Sequence, residues 1–497
     1  MASPPGWLKP VLPLALALLL AVSSLHGAWA AAPVWLVGTD PTYAPFEMVD
    51  ETSQALTGFD LELIRALARA RGRSVRFVPL PFDGLIPALQ AGKLDMAVSA
   101  MTITASRAES VDFSRPYFAA GLGVVVRRDG PTISSLDALA GRTVAVQIGS
   151  TGALAMATVK GATVTSFNSA PLALQELING NVDAYVNDLP ATLYAIQQRG
   201  LSDVRISSRP LTSDLYGIAL PQGSALRSEV NQALAAVIAD GELDRIHRRW
   251  FRRPAPPLPM VAPALQAKAV ANGLDLTLLL RNLLRGALVT VALTFSAFAG
   301  GSLLAAGLTL ALMAGRPWQR NLGRLYVNVM RGTPLLVLLF LVYFGLPTLC
   351  QQFGSPLRLD PFAAAVGALS LNLAAYMAET LRSGIASIDR GQWQAASALG
   401  LHRWQRLRHV ILPQAIQRVL PSLANEFITL IKDTSLAAVI GFDELFRQGQ
   451  LVVATTYRAF EVYAAVGVVY LVLTTLAARI FRRLEQRLTV SADARAA

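Results

Sequence analysis

Beyond residue 286 the chain carries apolar runs that only a membrane accommodates. They are "GALVTVALTFSAFAGGSLLAAGLTLALMAG" (286–315), "PLLVLLFLVYFGLPTLC" (334–350), "PFAAAVGALSLNLAAYMA" (361–378), a weaker "RVLPSLANEFITLI" (418–431) and "VYAAVGVVYLVLTTLAARIF" (462–481). A helix needs roughly 17–25 such residues to cross a bilayer, so about five spans are expected. The fourth is the weakest, because Asn425 and Glu426 interrupt it.

Charge sets the orientation. Arg316, Arg320, Arg324 and Arg331 follow the first run, and Arg382, Arg390, Arg403, Arg406 and Arg408 follow the third. Arg482, Arg483 and Arg487 follow the fifth, whereas the loop after the second has only Arg358. Arginine-rich short loops stay in the cytoplasm, which puts the start of the first span outside. The net charge of +12 therefore reads as a membrane bias rather than a nucleic-acid surface, and no nucleic-acid motif competes with it. The single cysteine, Cys350, rules out an internal disulfide framework or a paired-cysteine metal site.

The other end of the chain agrees. Residues 1–30 read as a signal peptide: Lys9, an apolar "VLPLALALLLAV" (11–22) and a small-x-small "AWA" (28–30). An uncleaved anchor is the alternative, and either would export the domain behind it. Residues 32–253 alternate β-branched runs such as "TVAVQIG" with helical patterns such as "GFDLELIRALARARG", the mark of an α/β domain large enough for two lobes. Residues 254–273 form a proline-rich linker to a membrane domain over 274–490, and 491–497 is a short cytoplasmic tail.

Within the soluble half, "GTDPTYAPFE" (38–47), "GFDLELI" (58–64), "FDGLIPALQAGKLDMAVSAMTITASRAESVDFSRPY" (82–117), "VAVQIGSTG" (144–152) and "NVDAYVNDLPA" (181–191) occur in that order. This set resembles the periplasmic substrate-binding proteins for polar amino acids, of family 3 and the type II fold. The resemblance implies two α/β lobes joined by two crossover strands. Asp40, Tyr43, Phe82, Ser99, Thr102 and Arg107 would lie in the first lobe, and Ser150, Thr151 and Asp188 in the second.

The chemistry suits a zwitterion. Arg107 can offer a bidentate fork to a carboxylate, and Ser99, Thr102, Ser150 and Thr151 can add donors. Asp188 is the candidate for the ammonium. The resemblance puts Asp40 and Tyr43 beside the ligand side chain and makes Phe82 an apolar wall. Taken singly, Arg107 would read as a solvated helix residue, Asp40 as a helix cap and Asp188 as a loop residue before Pro190.

In the membrane half, "RGTPLLVLLFLVYFGLP" (331–347), "NLAAYMAETLRSGI" (372–385) and "NEFITLIKDTSLAAVIGFDEL" (425–445) resemble the all-α permease subunits of polar amino-acid ABC importers. Between them, "GQWQAASALGLHRWQRLRHVILPQA" (391–415) is similar to the family's EAA loop, a cytoplasmic helix–turn–helix that docks on an ATPase subunit. Gln394, Ala395, Ala396 and Gly400 would carry that docking. Gln394 stands where the family usually has glutamate, which puts an ion pair there in doubt. Without the resemblance, the stretch would read as an amphipathic helix on the membrane surface.

No G-x-x-x-x-G-K-[ST] loop occurs in the chain, so ATP hydrolysis is expected on a separate ATPase subunit and no cofactor on this chain. The resemblance further implies a homodimer through the permease domain, in contact with lipid. The function expected is a subunit of an importer for glutamine or a basic amino acid. An amino-acid-gated channel and a membrane sensor are the rivals. The ligand domain is uninterrupted and no carbonyl filter is present, against the channel; the C-terminal tail is too short for a signalling domain. No nucleophile–base constellation points to an enzyme, and His26, His247, His402 and His409 are scattered.

Overall fold

The computed structural model describes residues 34–198, 200–260, 275–353 and 357–496. The expected signal peptide and most of the expected linker lie outside these residues.

Two five-stranded sheets build two lobes. In the first, the strands run Ser74–Pro79, Val34–Thr39, Met96–Ala97, Ala219–Pro221 and Val111–Phe113; in the second, Thr163–Phe167, Thr143–Gln147, Ala184–Asp188, Leu122–Arg127 and Val204–Ile206. In each sheet the first three strands in this order pair parallel, and the remaining pairings are antiparallel. Helices cover both faces, so the inner strands read as unbroken apolar runs: Val124, Val125 and Val126 are all buried, as are Val144, Ala145 and Val146. Between the lobes, Phe118–Ala120 pairs antiparallel with Asp214–Tyr216. These are the two crossover strands.

One glycine fixes the start of the first long helix. At Gly58, φ is +138°, and a Cβ would lie 2.1 Å from the Phe46 carbonyl oxygen. Only glycine fits there, and the turn starts the helix Phe59–Ala70 so that Asp60 enters the core fully buried.

The membrane half is helical. Leu276–Ala314 packs along Pro361–Ala386 through small residues: a Cβ on Gly300 would meet Ser370 Oγ at 2.6 Å, and Ser370 Oγ donates to the Ala297 carbonyl at 3.1 Å. Close helix approach through small residues replaces the hydrophobic drive that lipid cannot supply. By length and composition three helices among the described residues are suited to cross a membrane: Leu276–Met313, Pro361–Ala386 and Ala459–Arg487. A fourth is a bent pair, Pro317–Gly332 with Leu335–Cys350, turning by 105° at Thr333–Pro334. The fourth expected span is the helix Leu412–Asp433, long enough at 22 residues but too polar to pass the same test. The final helix continues to Ala496 and takes in most of the expected tail.

The binding lobes sit on the bundle end opposite the arginine-rich loops. Tyr343 Oη donates to Glu176 Oε2 at 2.6 Å, and Arg358 lies against Gly180. Tyr457, with φ +58°, joins the apolar cluster of Leu85, Leu89 and Phe113 in the first lobe.

Candidate ligand site between the lobes

Every residue anticipated from sequence as a ligand contact lines one cavity between the lobes, together with Ala100, Gln147 and Asn187. The lobes supply them as anticipated.

Arg107 comes from a four-residue helix whose cap, Thr104 Oγ1, accepts from the Arg107 N–H at 3.3 Å. Its guanidinium is 1 % exposed and lies 5.2 Å over the Phe82 ring. Phe82 thus holds the cation by its face as well as forming a wall. Nη1 donates to the Thr102 carbonyl at 2.7 Å and Nη2 to the Gly149 carbonyl at 3.0 Å. Two of the five guanidinium N–H groups fix the fork, and the others remain for an anion.

Asp188 ends the strand Ala184–Asp188. Oδ2 accepts from Tyr216 Oη at 2.7 Å and lies 3.3 Å from Tyr43 Oη; Oδ1 is buried with no hydrogen-bond partner. Burial pushes its pKa up to about 6, against the two tyrosine hydroxyls and Arg107, which lower it. A buried carboxylate oxygen without a donor costs of order 1–3 kcal/mol, which an ammonium would recover.

Asp40 is crowded with donors: Oδ1 takes the Thr42 N–H and hydroxyl, and Oδ2 the Phe82 N–H and Gln147 Nε2, both at 3.2 Å. Burial still raises its pKa above the usual carboxylate value. The hydroxyls divide unequally. Ser150 Oγ accepts from the Ala153 N–H at 3.1 Å, leaving its O–H to donate elsewhere. Ser99, expected to donate to the ligand, instead gives its proton to Glu47 Oε1 at 2.7 Å and accepts from the Asp40 N–H. It can offer the cavity only a lone pair.

Below Ser99 lies a carboxyl pair that sequence reasoning missed. Glu47 and Asp60 are fully buried, and each has one oxygen without a donor. One shared proton accounts for both. Desolvation holds Glu47 well above the usual range and raises Asp60 to about 7, with Tyr117 Oη and the Ala100 N–H donating to Asp60. The motifs "PFE" and "GFD" contain both residues, but nothing in their spacing says that they meet. Gln147 had a readable signal: a polar residue closing the apolar strand "TVAVQ".

Residues 36–253 match the bacterial extracellular solute-binding proteins, family 3, and residues 304–490 match the binding-protein-dependent transport system inner membrane component. The glutamine transport system permease protein GlnP of Escherichia coli (strain K12) is 45% identical over 193 residues, 38% of this chain and 86% of that protein. This chain belongs to the binding-protein-dependent transport permeases. It is an amino-acid ABC transporter permease of the inner membrane, fused to a solute-binding domain. The octopine transport system permease protein OccM of Rhizobium radiobacter is 38% identical over 206 residues, 41% of this chain and 84% of that protein. A solved ancestral arginine-binding protein bound to arginine is 40% identical and covers 44% of this chain and 98% of its own, with a TM-score of 0.43.

The permease half has two further features. An open cavity is lined by Arg331, Asn372, Tyr376, Asn425, Glu426 and Asp433 among others. The polar residues that weakened the fourth span therefore face a cavity, where ionisable groups in a membrane mark a path. The permease's EAA-like loop forms a helix Arg390–Ala398, a turn at Gly400 (φ +73°) and a second helical stretch from Arg403. Gln394 and Ala395 are exposed, and so is Leu399 at 78%, whereas Ala396 is buried. Ala396 therefore faces inward and is not part of an outward face.

Proposed function

We propose that this permease is the membrane subunit of an ATP-driven importer that captures a polar amino acid, glutamine or a basic one, outside the membrane and passes it to the cytoplasm. One observation carries the reading. A closed cavity holds the Arg107 fork from one lobe and the donorless Asp188 Oδ1 from the other. A cation and an anion so disposed suit the carboxylate and ammonium of a free amino acid, and suit neither a sugar nor a simple ion.

A ligand held by both lobes stabilises their closed arrangement. Released from there, it would enter the polar cavity beside Glu426. Energy would come from a separate ATPase seated on the exposed face of Gln394, Ala395 and Leu399, with two copies of the permease enclosing the path. Positive charge on one set of loops and the lobes on the opposite end support an external binding domain. Asp40 at the cavity wall favours a cationic or amide side chain and repels an acidic one. The name of the Escherichia coli relative supports glutamine.

Calorimetric titration with the common amino acids, paired with uptake into vesicles containing the permease and an ATPase, tests this. Tight binding of glutamine, arginine or lysine with ATP-dependent uptake is expected. Binding of none of the amino acids would overturn it.

A further inference from the structure

Arg447 opens the helix Leu445–Thr456, at the bundle end that meets the lobes, and is fully buried. Its partners are not in the membrane half alone. Nη1 donates to Asn168 Oδ1 at 2.6 Å and to Gln450 Oε1 at 3.1 Å, and Nη2 donates to the Ser166 carbonyl. Ser166 and Asn168 lie at the end of the strand Thr163–Phe167, in the second lobe.

The first lobe converges on the same place. A Cβ built on Gly149, in the second lobe, would lie 3.5 Å from Asp83 Cβ in the first lobe and 3.6 Å from Ala454 Cβ in the permease. The three bodies thus converge at Gly149, separated there by about the width of one methyl group. The carbonyl of the same Gly149 accepts from Arg107 Nη2, so the residue that grips a carboxylate in the cavity also holds the backbone at the three-way junction. Opening the cleft separates Asp83 from Gly149, and the junction exists only when the lobes are shut.

We propose that Arg447 is the residue through which the permease recognises the closed binding domain, by burying its guanidinium against Ser166 and Asn168 only when both lobes seat on the bundle. The physical reason is the cost of a buried cation. A guanidinium removed from water is tolerated only if acceptors stand where its donors point. A domain with its lobes apart cannot offer the second lobe to Arg447 while the first lobe rests on Tyr457. Docking of the open form therefore leaves these acceptors out of reach and the guanidinium facing water, whereas docking of the closed form gives both terminal nitrogens acceptors and leaves only Nε without one. Arg447 is a positioning residue: it touches neither cavity, and its effect reaches the ligand only through closure.

The proposal rests on the importer reading for its purpose, but its test does not need the ATPase. In the full-length chain with Cys350→Ser, nitroxide labels at Lys160→Cys on the second lobe and Phe353→Cys on the bundle report the lobe-to-bundle distance. L-glutamine and L-arginine are the probes, and calorimetry on the same samples reports their binding. With Arg447 present, the better probe should shift the distance distribution towards the docked separation. Arg447→Met should bind that probe within about threefold of the parent affinity, yet lose most of the ligand-driven shift. Asn168→Ala, a milder change in the other partner, should lose part of it, and the double variant should be no worse than Arg447→Met alone. Arg447→Lys, which cannot serve both acceptors in one plane, should recover only a fraction.

A ligand-driven shift in both Arg447→Met and Asn168→Ala equal to the parent's overturns the proposal, as does strict additivity of the two losses. Separately, ligand-driven docking in the parent without ligand-stimulated ATP hydrolysis would remove the importer reading and leave the recognition by Arg447 standing.

Discussion

Gln147 Nε2 in the second lobe donates to Asp40 Oδ2 in the first at 3.2 Å. The contact joins the lobes through the residue proposed to meet the ligand's side chain, so on that reading specificity and closure share an atom. Asp40→Asn keeps the shape and removes the charge. It should weaken binding of a basic ligand by one to two decades, since a charge-assisted hydrogen bond contributes roughly 1.5–3 kcal/mol. Glutamine should lose less. Titration of both ligands against both proteins reads the ratio, and equal losses would remove Asp40 from the specificity role.

The zwitterion clamp gives a prediction that does not depend on the side chain. Asp188→Asn and Arg107→Met each leave one charge of the ligand unmatched in a closed cavity, a loss of about 3–5 kcal/mol for every amino acid. Circular dichroism should report a folded chain in both cases. An unchanged affinity in either would mean that the other residues suffice.

Affinity should also depend on pH, with a definite sign. In the cavity Asp188 titrates at about 6, raised chiefly by burial. Ligand ammonium requires the ionised form, so binding is insensitive to pH above about 6 and must expel a proton below it. Each unit further down should weaken affinity up to about tenfold, because one pH unit corresponds to about 1.36 kcal/mol. Calorimetry in buffers of different ionisation enthalpy should register proton release on binding at pH 5 and little at pH 8.

The Glu47–Asp60 pair predicts a stability profile. Asp60 titrates at about 7 in the folded domain against 3.8 ordinarily, so the unfolded chain gives up its proton first. Stability is therefore greatest below the unfolded value and falls as pH rises from about 3.8 to about 7, with Glu47 acting in the same direction. Asp60→Asn should flatten that part of the curve. Denaturant midpoints at pH 5 and pH 8 for both proteins measure it; an equal slope in the variant would place the titration elsewhere.

For the EAA-like loop, Ala395→Asp adds charge to an exposed face, whereas Ala396→Asp puts charge into a buried one. The first should spare folding and ligand binding while lowering ligand-stimulated ATP hydrolysis at least tenfold in a reconstituted complex. The second should destabilise the loop itself. If Ala395→Asp leaves stimulation intact, the loop lies on the membrane surface without a partner.

The sequence alone determined what local pattern can carry. Apolar run length marked the membrane half, arginine bias supplied an expected orientation, and the alternation of β-branched runs with amphipathic helices marked the α/β half. Motif order brought Asp40, Arg107 and Asp188 to notice before any contact was visible. What the tertiary structure decided depends on direction and on residues far apart in the chain. Ser99 and Ser150 are alike as hydroxyls, yet one spends its proton on Glu47 and the other keeps it, a difference set by which buried acceptor lies nearby. Ala395 and Ala396 are adjacent and chemically identical, and helix rotation exposes one and buries the other. Arg447 sits 279 residues from Asn168, and no periodicity or motif connects them. Hydrophobic patterning is written into neighbouring residues; the partner of a buried charge is fixed only when distant segments are packed together.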